Sequence, residues 1–309
     1  MTASVPLGIG VWSRRHLLDV EGLSRSEIER VLDLAVRMRE ARAAHDDRSL
    51  LEHEIVGLAF YESSTRTRVS FELAAKALGA TTVDLSVAGS SVTKGESLVD
   101  TLRTLERTGV TTLVLRHGSV GAPHLAARTT GMRVVNGGDG AHAHPTQALL
   151  DALTLREALG ALDGRIVAIV GDVAHSRVAR SNIHCLTTLG ARVRVGGPPA
   201  WVAGFDTWPG VEVAGSLPEA LDGADAVMAL RAQLERGARL PDELADWRLD
   251  DARMDLAAPG ARLLHPGPTN EGVELTAELA NGPSSLIGRQ VENGVPIRMA
   301  VLALVCGAA

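Results

Sequence analysis

The sequence predicts an α/β protein of two doubly wound, parallel-sheet (Rossmann-like) domains, with the active site in the cleft between them. Three observations predict it. Short apolar strands alternate with helices along most of the chain, the pattern of βαβ units and a parallel sheet. The alternation pauses at the turn-rich stretch Gly137-Gly-Asp-Gly140 and the helix after it, then resumes. A length of 309 residues is enough for two compact cores.

The elements follow in order. An amphipathic segment over 24–44 predicts a first helix. Residues 55–61 read as a strand and 65–78 as a helix closed by Gly79. A strand over 81–86 precedes a helix over 96–108 closed by Gly109, and a third strand covers 111–116. A short helix over 122–129 and a fourth strand over 133–136 complete the first set. A long helix, 145–158, has Pro145 in its first turn, where the missing N–H costs nothing. The second set has strands at 165–170, 192–196, 224–230 and 261–264, and a helix at 176–189 closed by Gly190. Residues 196–216, rich in Gly, Pro and Trp, carry no clear element. A final helix is expected over 296–305, with Pro296 at its start. The expected division is residues 1–143 plus a returning 288–309 as one domain and 144–287 as the other.

Composition narrows the function. Hydrophobic residues make up 45% and charged residues 22%, ordinary for a globular protein, while aromatics at 3% require an aliphatic core. A net charge of −6 argues against a nucleic-acid surface, which needs a basic field. No apolar run is long enough to span a bilayer, and residues 1–11 lack the basic and apolar regions of a secretion signal. Two cysteines, Cys185 and Cys306, are too few for a disulfide framework or a thiolate metal site. The expectation is a reduced, cytoplasmic protein with no metal, no membrane partner and no nucleic-acid partner.

Basic residues at strand ends and helix starts then stand out. Tyr61-Glu-Ser-Ser-Thr-Arg-Thr-Arg-Val-Ser-Phe-Glu72 follows a strand and opens a helix. A helix start offers unpaired N–H groups and partial positive charge, a natural oxyanion site. Ser64 suits the N-cap, Thr65 and Thr67 add hydroxyls, and Arg66 adds a guanidinium that can grip two phosphate oxygens. A lone S-T-R would be an ordinary capped helix; the whole run at a strand's carboxyl end is not. Arg116 ends the third strand. His144-Pro-Thr-Gln147 opens the long helix, and a helix start favours the uncharged imidazole. In the second half Val170-Gly-Asp172 ends a strand and Arg177 lies in the next helix's first turn, where the dipole disfavours a cation unless an anion joins it. No G-x-G-x-x-G follows that strand, which counts against dinucleotide binding.

Ser64-Thr-Arg-Thr-Arg68 with Ser70-Phe-Glu72 resembles the carbamoyl-phosphate motif of the aspartate and ornithine carbamoyltransferase family. The resemblance runs through nearly the whole chain. It implies that Ser64, Thr65, Arg66 and Thr67 bind the phosphate of carbamoyl phosphate, and that Arg116 contacts its carbonyl oxygen and phosphate. His144 and Gln147 would contact the carbamoyl group. Ser90-Ser-Val-Thr-Lys94-Gly-Glu96 resembles a loop whose serine and lysine reach the neighbouring subunit's active site, so Ser90 and Lys94 would act in trans. Arg177 would bind the α-carboxylate of L-aspartate, and Arg231-Ala-Gln233 resembles the R-x-Q motif holding its side-chain carboxylate. His265-Pro-Gly-Pro268 resembles a loop in which the carbonyls of Gly267 and Pro268 face the substrate amine. Lys94 is also expected at the aspartate site.

The aspartate branch fits better than the ornithine branch. Ornithine enzymes carry H-C-L-P where this chain has His265-Pro-Gly-Pro268, lack the lysine loop, and need a pocket for an ammonium. Departures remain: Ser63 stands where many relatives have proline, Leu234 precedes Glu235-Arg236, and Thr269-Asn270 follows the proline loop. The resemblance implies a homotrimer with shared active sites and no cofactor. It leaves open allostery and any higher assembly with a regulatory chain or a dihydroorotase.

Overall fold

The computed structural model describes residues 12–44, 49–86, 97–233 and 242–307. The chain forms two compact units, one of residues up to Leu149 and from Glu292 onward, the other Leu150–Val291.

The first unit begins with α1 (Arg25–Ala43). A capping box starts this helix: the Ser24 hydroxyl accepts from the Glu27 N–H, and the Glu27 carboxylate accepts from the Ser24 N–H. There follow β1 (Ile55–Phe60), α2 (Thr65–Ala77), β2 (Thr81–Ser86), α3 (Leu98–Arg107), β3 (Thr112–His117), α4 (Ala122–Thr129) and β4 (Arg133–Asp139). The strands pair in the order β2-β1-β3-β4, every pair parallel. The chain therefore leaves β1 on one side and returns past it on the other, so strand order reverses between β1 and β3. Ala59, Leu102, Leu113, Leu115, Ala126 and Val134 form an aliphatic core against this sheet.

Helix α5 (Pro145–Leu159) carries the chain into the second unit and α11 (Ile287–Cys306) carries it back. Between them lie β5 (Ile166–Gly171), α6 (Arg177–Thr188), β6 (Arg192–Gly196), α7 (Pro199–Val202), β7 (Val211–Ala214), α8 (Leu217–Leu221), β8 (Ala226–Leu230), α9 (Asp251–Met254), β9 (Arg262–Leu264) and α10 (Ala277–Asn281). The order is β7-β6-β5-β8-β9, again all parallel, and reverses between β5 and β8. Its core gathers Val170, Leu217, Val227, Leu249, Leu263 and Leu279 with one aromatic, Trp247. Among the described residues no helix is long and apolar enough to cross a membrane.

Three local expectations need correction. Residues 196–216 are not featureless: they hold α7, a 3₁₀ turn at Phe205–Thr207 and β7. The order there comes from aromatic packing, with Trp201 and Phe205 buried and the Arg180 guanidinium 5.3 Å from the Phe205 ring centre and 5.5 Å from that of Trp208. Pro296 does not start the last helix but sits inside α11. An interior proline costs about 3 kcal/mol, whereas each fully buried Leu or Ile returns about 1.5–3 kcal/mol. Ile297, Val301, Leu302 and Leu304 are all buried, so packing wins. Finally, Gly137 to Asp139 continue β4 and do not form a turn. A bulge pairs Leu115 with Asn136 but Arg116 with Gly138, and Gly138 has φ +120°, which favours glycine.

Gly171, at the carboxyl end of β5, has φ +121°, and a Cβ there would press into the backbone carbonyl of Leu230. Gly160 also has a positive φ, +78°, but a Cβ there would meet nothing within 4 Å. Gly171→Ala is expected to destabilise by about 3–5 kcal/mol, summing strain and overpacking, and Gly160→Ala by about 1–2 kcal/mol. Thermal melts of the two variants check this; equal shifts would remove the role of the β5–β8 close approach.

Candidate active site

The first cluster of site residues lies where strand order reverses in the first unit. In a parallel sheet, ligands sit outside the carboxyl ends of the strands at such a switch point. Phe60 of β1 pairs with Arg116 of β3, and the Tyr61 N–H donates to the Arg116 carbonyl at 2.9 Å. The chain leaving β1 turns directly into α2. Ser64 occupies the N-cap, but contrary to expectation its side chain makes no capping hydrogen bond. Thr65 and Arg66 are exposed in the first turn and Thr67 is buried. The hydroxyl of Ser70 donates to the Arg66 carbonyl at 2.7 Å and the Thr67 carbonyl at 3.0 Å, stiffening this turn. Arg116 is largely buried, with Nε 3.4 Å from Glu62 Oε2 and Nη1 donating to the Gly137 carbonyl at 3.4 Å.

The neighbouring strand, β4, leads to the histidine. After Asp139 a short turn over 140–143 reaches His144, buried with 4% exposure just before α5. Its carbonyl accepts from the N–H groups of Gln147 at 3.0 Å and Ala148 at 3.3 Å, starting the helix. Gln147, one turn on, is also buried. Thus β1, β3 and β4, adjacent in the sheet, deliver Ser64 to Thr67, Arg116, and His144 with Gln147. Ser90 and Lys94 lie outside the described residues.

The second cluster occupies the equivalent reversal in the second unit. Gly171 of β5 pairs with Leu230 of β8, so Asp172 and Arg231 leave the sheet side by side. Asp172 is fully buried. Its Oδ2 accepts from the Gln233 N–H at 2.9 Å, and its Oδ1 pairs with His175 Nδ1 at 2.7 Å. One carboxylate thereby ties the start of α6 to the Arg231-Ala-Gln233 segment. Ser176 caps α6 by accepting from the Ala179 N–H at 3.1 Å, and Arg177 is its first residue. Arg177 is only 2% exposed, so it is not a solvated first-turn arginine. Arg231 is half-buried with Nη1 donating to the Ala232 carbonyl at 3.3 Å, and Gln233 Nε2 donates to the Arg231 carbonyl at 3.1 Å.

The proline loop follows β9 in the same unit. His265 Nδ1 accepts from the Gly267 N–H at 2.9 Å, so the ring proton sits on Nε2, which lies 3.0 Å from Glu274 Oε1. The same Glu274 oxygen accepts from the Asn270 N–H at 2.6 Å. Gly267 has φ +68°, and its bond to Pro268 is cis. The His265 N–H donates to Gln290 Oε1 at 2.9 Å; Gln290 Nε2 donates to Asp151 at 2.7 Å, and Asn182 Nδ2 donates to the other Asp151 oxygen at 2.8 Å. The loop backbone is therefore held at several points by buried polar groups.

Sequence reading missed the acids that hold these side chains: Glu62, Asp139, Asp151 and Glu274. An acid directly after an apolar strand, as in Gly138-Asp139, carries a readable signal. The nine-residue gap between His265 and Glu274 carries none.

Comparisons with known proteins identify the family. Residues 15–157 match the family model for the aspartate/ornithine carbamoyltransferase carbamoyl-P binding domain, and residues 163–305 match that for the Asp/Orn binding domain. Aspartate carbamoyltransferase catalytic subunits of Gluconobacter oxydans and Thermus aquaticus are each 51% identical; the alignments cover 93% of this chain and 94% and 97% of theirs. A crystal structure of aspartate transcarbamoylase from Trypanosoma cruzi, in complex with carbamoyl aspartate and phosphate, superposes with a TM-score of 0.85. It is 31% identical, over 98% of this chain and 99% of that one. The same enzyme bound to N-(phosphonacetyl)-L-aspartic acid superposes at 0.84 with 32% identity, over 94% and 95%. Two matched domains, the identity along nearly the full chain and two sheets whose order reverses beneath the expected residues have one explanation: the chain belongs to the aspartate/ornithine carbamoyltransferase family, among the aspartate carbamoyltransferase catalytic subunits.

Proposed function

We propose that this chain is an enzyme that transfers the carbamoyl group of carbamoyl phosphate to the α-amino group of L-aspartate. The products are N-carbamoyl-L-aspartate and phosphate, a step of pyrimidine biosynthesis. One observation carries the reading: an anion-binding residue set and a pair of arginines occupy the two strand-order reversals of a chain 51% identical to enzymes of that name. The ornithine alternative has less support, because Arg177 and Arg231 offer two cations to a dicarboxylate and would repel a side-chain ammonium.

In this reading the first turn of α2 receives the phosphate. The uncapped N-terminus leaves donors for phosphate oxygens, and Ser64, Thr65, Arg66 and Thr67 surround them. Arg116, held by Glu62, spans phosphate and carbonyl oxygen. Arg177 takes the α-carboxylate of aspartate, and Arg231 with Gln233 takes its side-chain carboxylate. Gly267 and Pro268 orient the amine through their carbonyls. The neutral amine attacks the carbonyl carbon and a tetrahedral oxyanion forms. Donors from His144, Thr67 and Arg116 stabilise it, then the C–O bond to phosphate breaks and phosphate leaves with the amine proton. Orientation and preorganised charge carry the rate, with no cofactor assigned.

The unit of function is a homotrimer in which Ser90 and Lys94 complete the neighbour's site, with Lys94 also meeting aspartate. Exposed apolar side chains next to the phosphate segment support a subunit contact there: Val69 is 39% and Leu73 44% exposed on α2, and Val83 39% on the edge strand β2. A cytoplasmic location accords with this chemistry. A regulatory chain or a dihydroorotase in a larger assembly is a matter for native mass measurement.

Three outcomes are expected. The purified protein forms N-carbamoyl-aspartate from carbamoyl phosphate and aspartate but forms no citrulline from ornithine; His144→Ala lowers kcat on the order of 10²–10³-fold, the cost of one oxyanion donor. Retained turnover in that variant removes His144 from the oxyanion site. Arg231→Ala raises the KM for aspartate at least tenfold and leaves carbamoyl-phosphate binding unchanged by calorimetry; weakened carbamoyl-phosphate binding instead would misplace the residue. Mixed Lys94→Ala and Arg66→Ala subunits regain activity that neither variant has alone, and hybrids as inactive as their parents would argue against shared sites.

A further inference from the structure

The expected function gives no task to Asp139, one of several buried acids. Asp139, the last residue of β4, is 0% exposed, yet its carboxylate is surrounded entirely by donors. Oδ1 accepts from Asn136 Nδ2 at 2.8 Å and from the Ala143 N–H at 3.1 Å. Oδ2 accepts from the Gly121 N–H at 2.8 Å. His142 Nδ1 lies 3.2 Å from Oδ1 and 3.1 Å from Oδ2. The backbone closes the same turn: the Asp139 N–H donates to the Ala143 carbonyl at 3.1 Å, and the His142 N–H donates to the Asp139 carbonyl at 2.9 Å. Gly140, at φ +45°, makes the reversal and donates to the His117 carbonyl at 2.9 Å.

The donors come from three places. Asn136 and Asp139 belong to β4, Gly121 caps α4, and His142 and Ala143 form the turn whose next residue is His144. One carboxylate thus joins the sheet edge and a neighbouring helix start to the residue directly before His144. Such an arrangement requires an acceptor-only group, because an amide in its place would turn a donor toward donors.

We infer that Asp139 is a positioning residue for His144, acting through the 140–143 turn, with His142 as the half-exposed member that strengthens the clamp. The inference rests on the proposed role of His144. A misplacement of about 1 Å at a reacting group can cost about 10²-fold in rate, so a residue that never meets substrate can still control turnover.

The electrostatics of the pair agree. The hydrogen bond to Asp139 raises the His142 pKa against its partial burial, helped by the charges of Asp139, Asp19 and Glu21. Burial pushes the Asp139 carboxyl up, but hydrogen bonds from His142, Asn136 and Gly121 bring it below the ordinary carboxylate value. His124 also faces His142, with ring centres 5.8 Å apart and Nε2 3.5 Å from Asp19, and His117 feels the Asp139 charge. The His142 contribution is present below the ordinary imidazole range and is lost as pH rises through its raised value. The Asp139 contribution is present above the ordinary carboxylate range and is lost as pH falls through its lowered value. The clamp is therefore strongest between the two, in mildly acidic to neutral solution.

The test is a double-variant cycle in the full-length protein, with steady-state kinetics on carbamoyl phosphate and aspartate. Asp139→Asn is expected to lower kcat on the order of 10–10²-fold, with the aspartate KM changed less than about twofold. In a His144→Ala background the same substitution should change kcat by less than about twofold, because its route to the chemistry is already gone. Losses that multiply would overturn the inference and make Asp139 a purely structural acid. Should Asp139→Asn not fold, His142→Ala poses the same question from the half-exposed side, with a few-fold loss expected in the native background and none on His144→Ala. The imidazole proton and nitrogen NMR signals of His144, identified by their loss in His144→Ala, give a readout independent of turnover. They are expected to move in the Asp139 or His142 variant; unmoved signals would overturn the inference even if the wild type lacked the proposed activity, and moved signals would sustain it while the functional reading failed.

Discussion

Every strand pairing in the two named sheets is parallel, and the rest of the site follows from that constraint. Parallel strands end on one edge, so the loops that follow them share one rim. Where strand order reverses, the two flanking loops diverge and leave a gap lined by backbone N–H groups and helix starts. Both units place candidate site residues beside this gap in the same way. Ser64 to Thr67 and Arg116 flank the gap between β1 and β3, and Asp172, Arg177 and Arg231 flank that between β5 and β8.

The side chains at these rims are held mainly by acids, Asp139 and Asp172 fully buried and Glu62 half-buried. Glu62 holds Arg116, Asp139 holds the turn before His144, and Asp172 joins Gln233 to the start of α6. Asp139 and Asp172 each accept hydrogen bonds that include backbone N–H donors, while Glu62 meets Arg116 as an ion pair at 3.4 Å. Burial of a carboxylate is costly unless such donors replace water, and here they do. In the proposed reaction this would be preorganisation, with the cations and the imidazole set in place before substrate arrives.

Much of this was legible in the sequence because it is local. The β1–α2 junction shows itself by an apolar strand running into Ser-Thr-Arg-Thr-Arg, and the α6 start by Gly171-Asp172 and Arg177 a few residues on. The 196–216 stretch was opaque, because β7 is only four residues long, with Ala214 alone buried, between Gly and Pro clusters, and its order depends on Trp201 and Phe205 packing and on Arg180 from α6. Pro296 misled for a related reason. Local propensity ends a helix there, and only burial of the residues after it keeps α11 continuous.

What the sequence by itself determined was the list of chemical groups and their attachment to strand ends and helix starts, since both depend on residues a few positions apart. The tertiary structure alone decided strand order, and hence which ends became neighbours. It also chose the partner of each charged group: Glu274 for His265, Glu62 for Arg116, and Gly121 with Asn136 for Asp139. Such pairings span loops or bring together separate elements, and no periodicity records them. They arise because a buried charge must find donors or acceptors wherever the packed chain brings them.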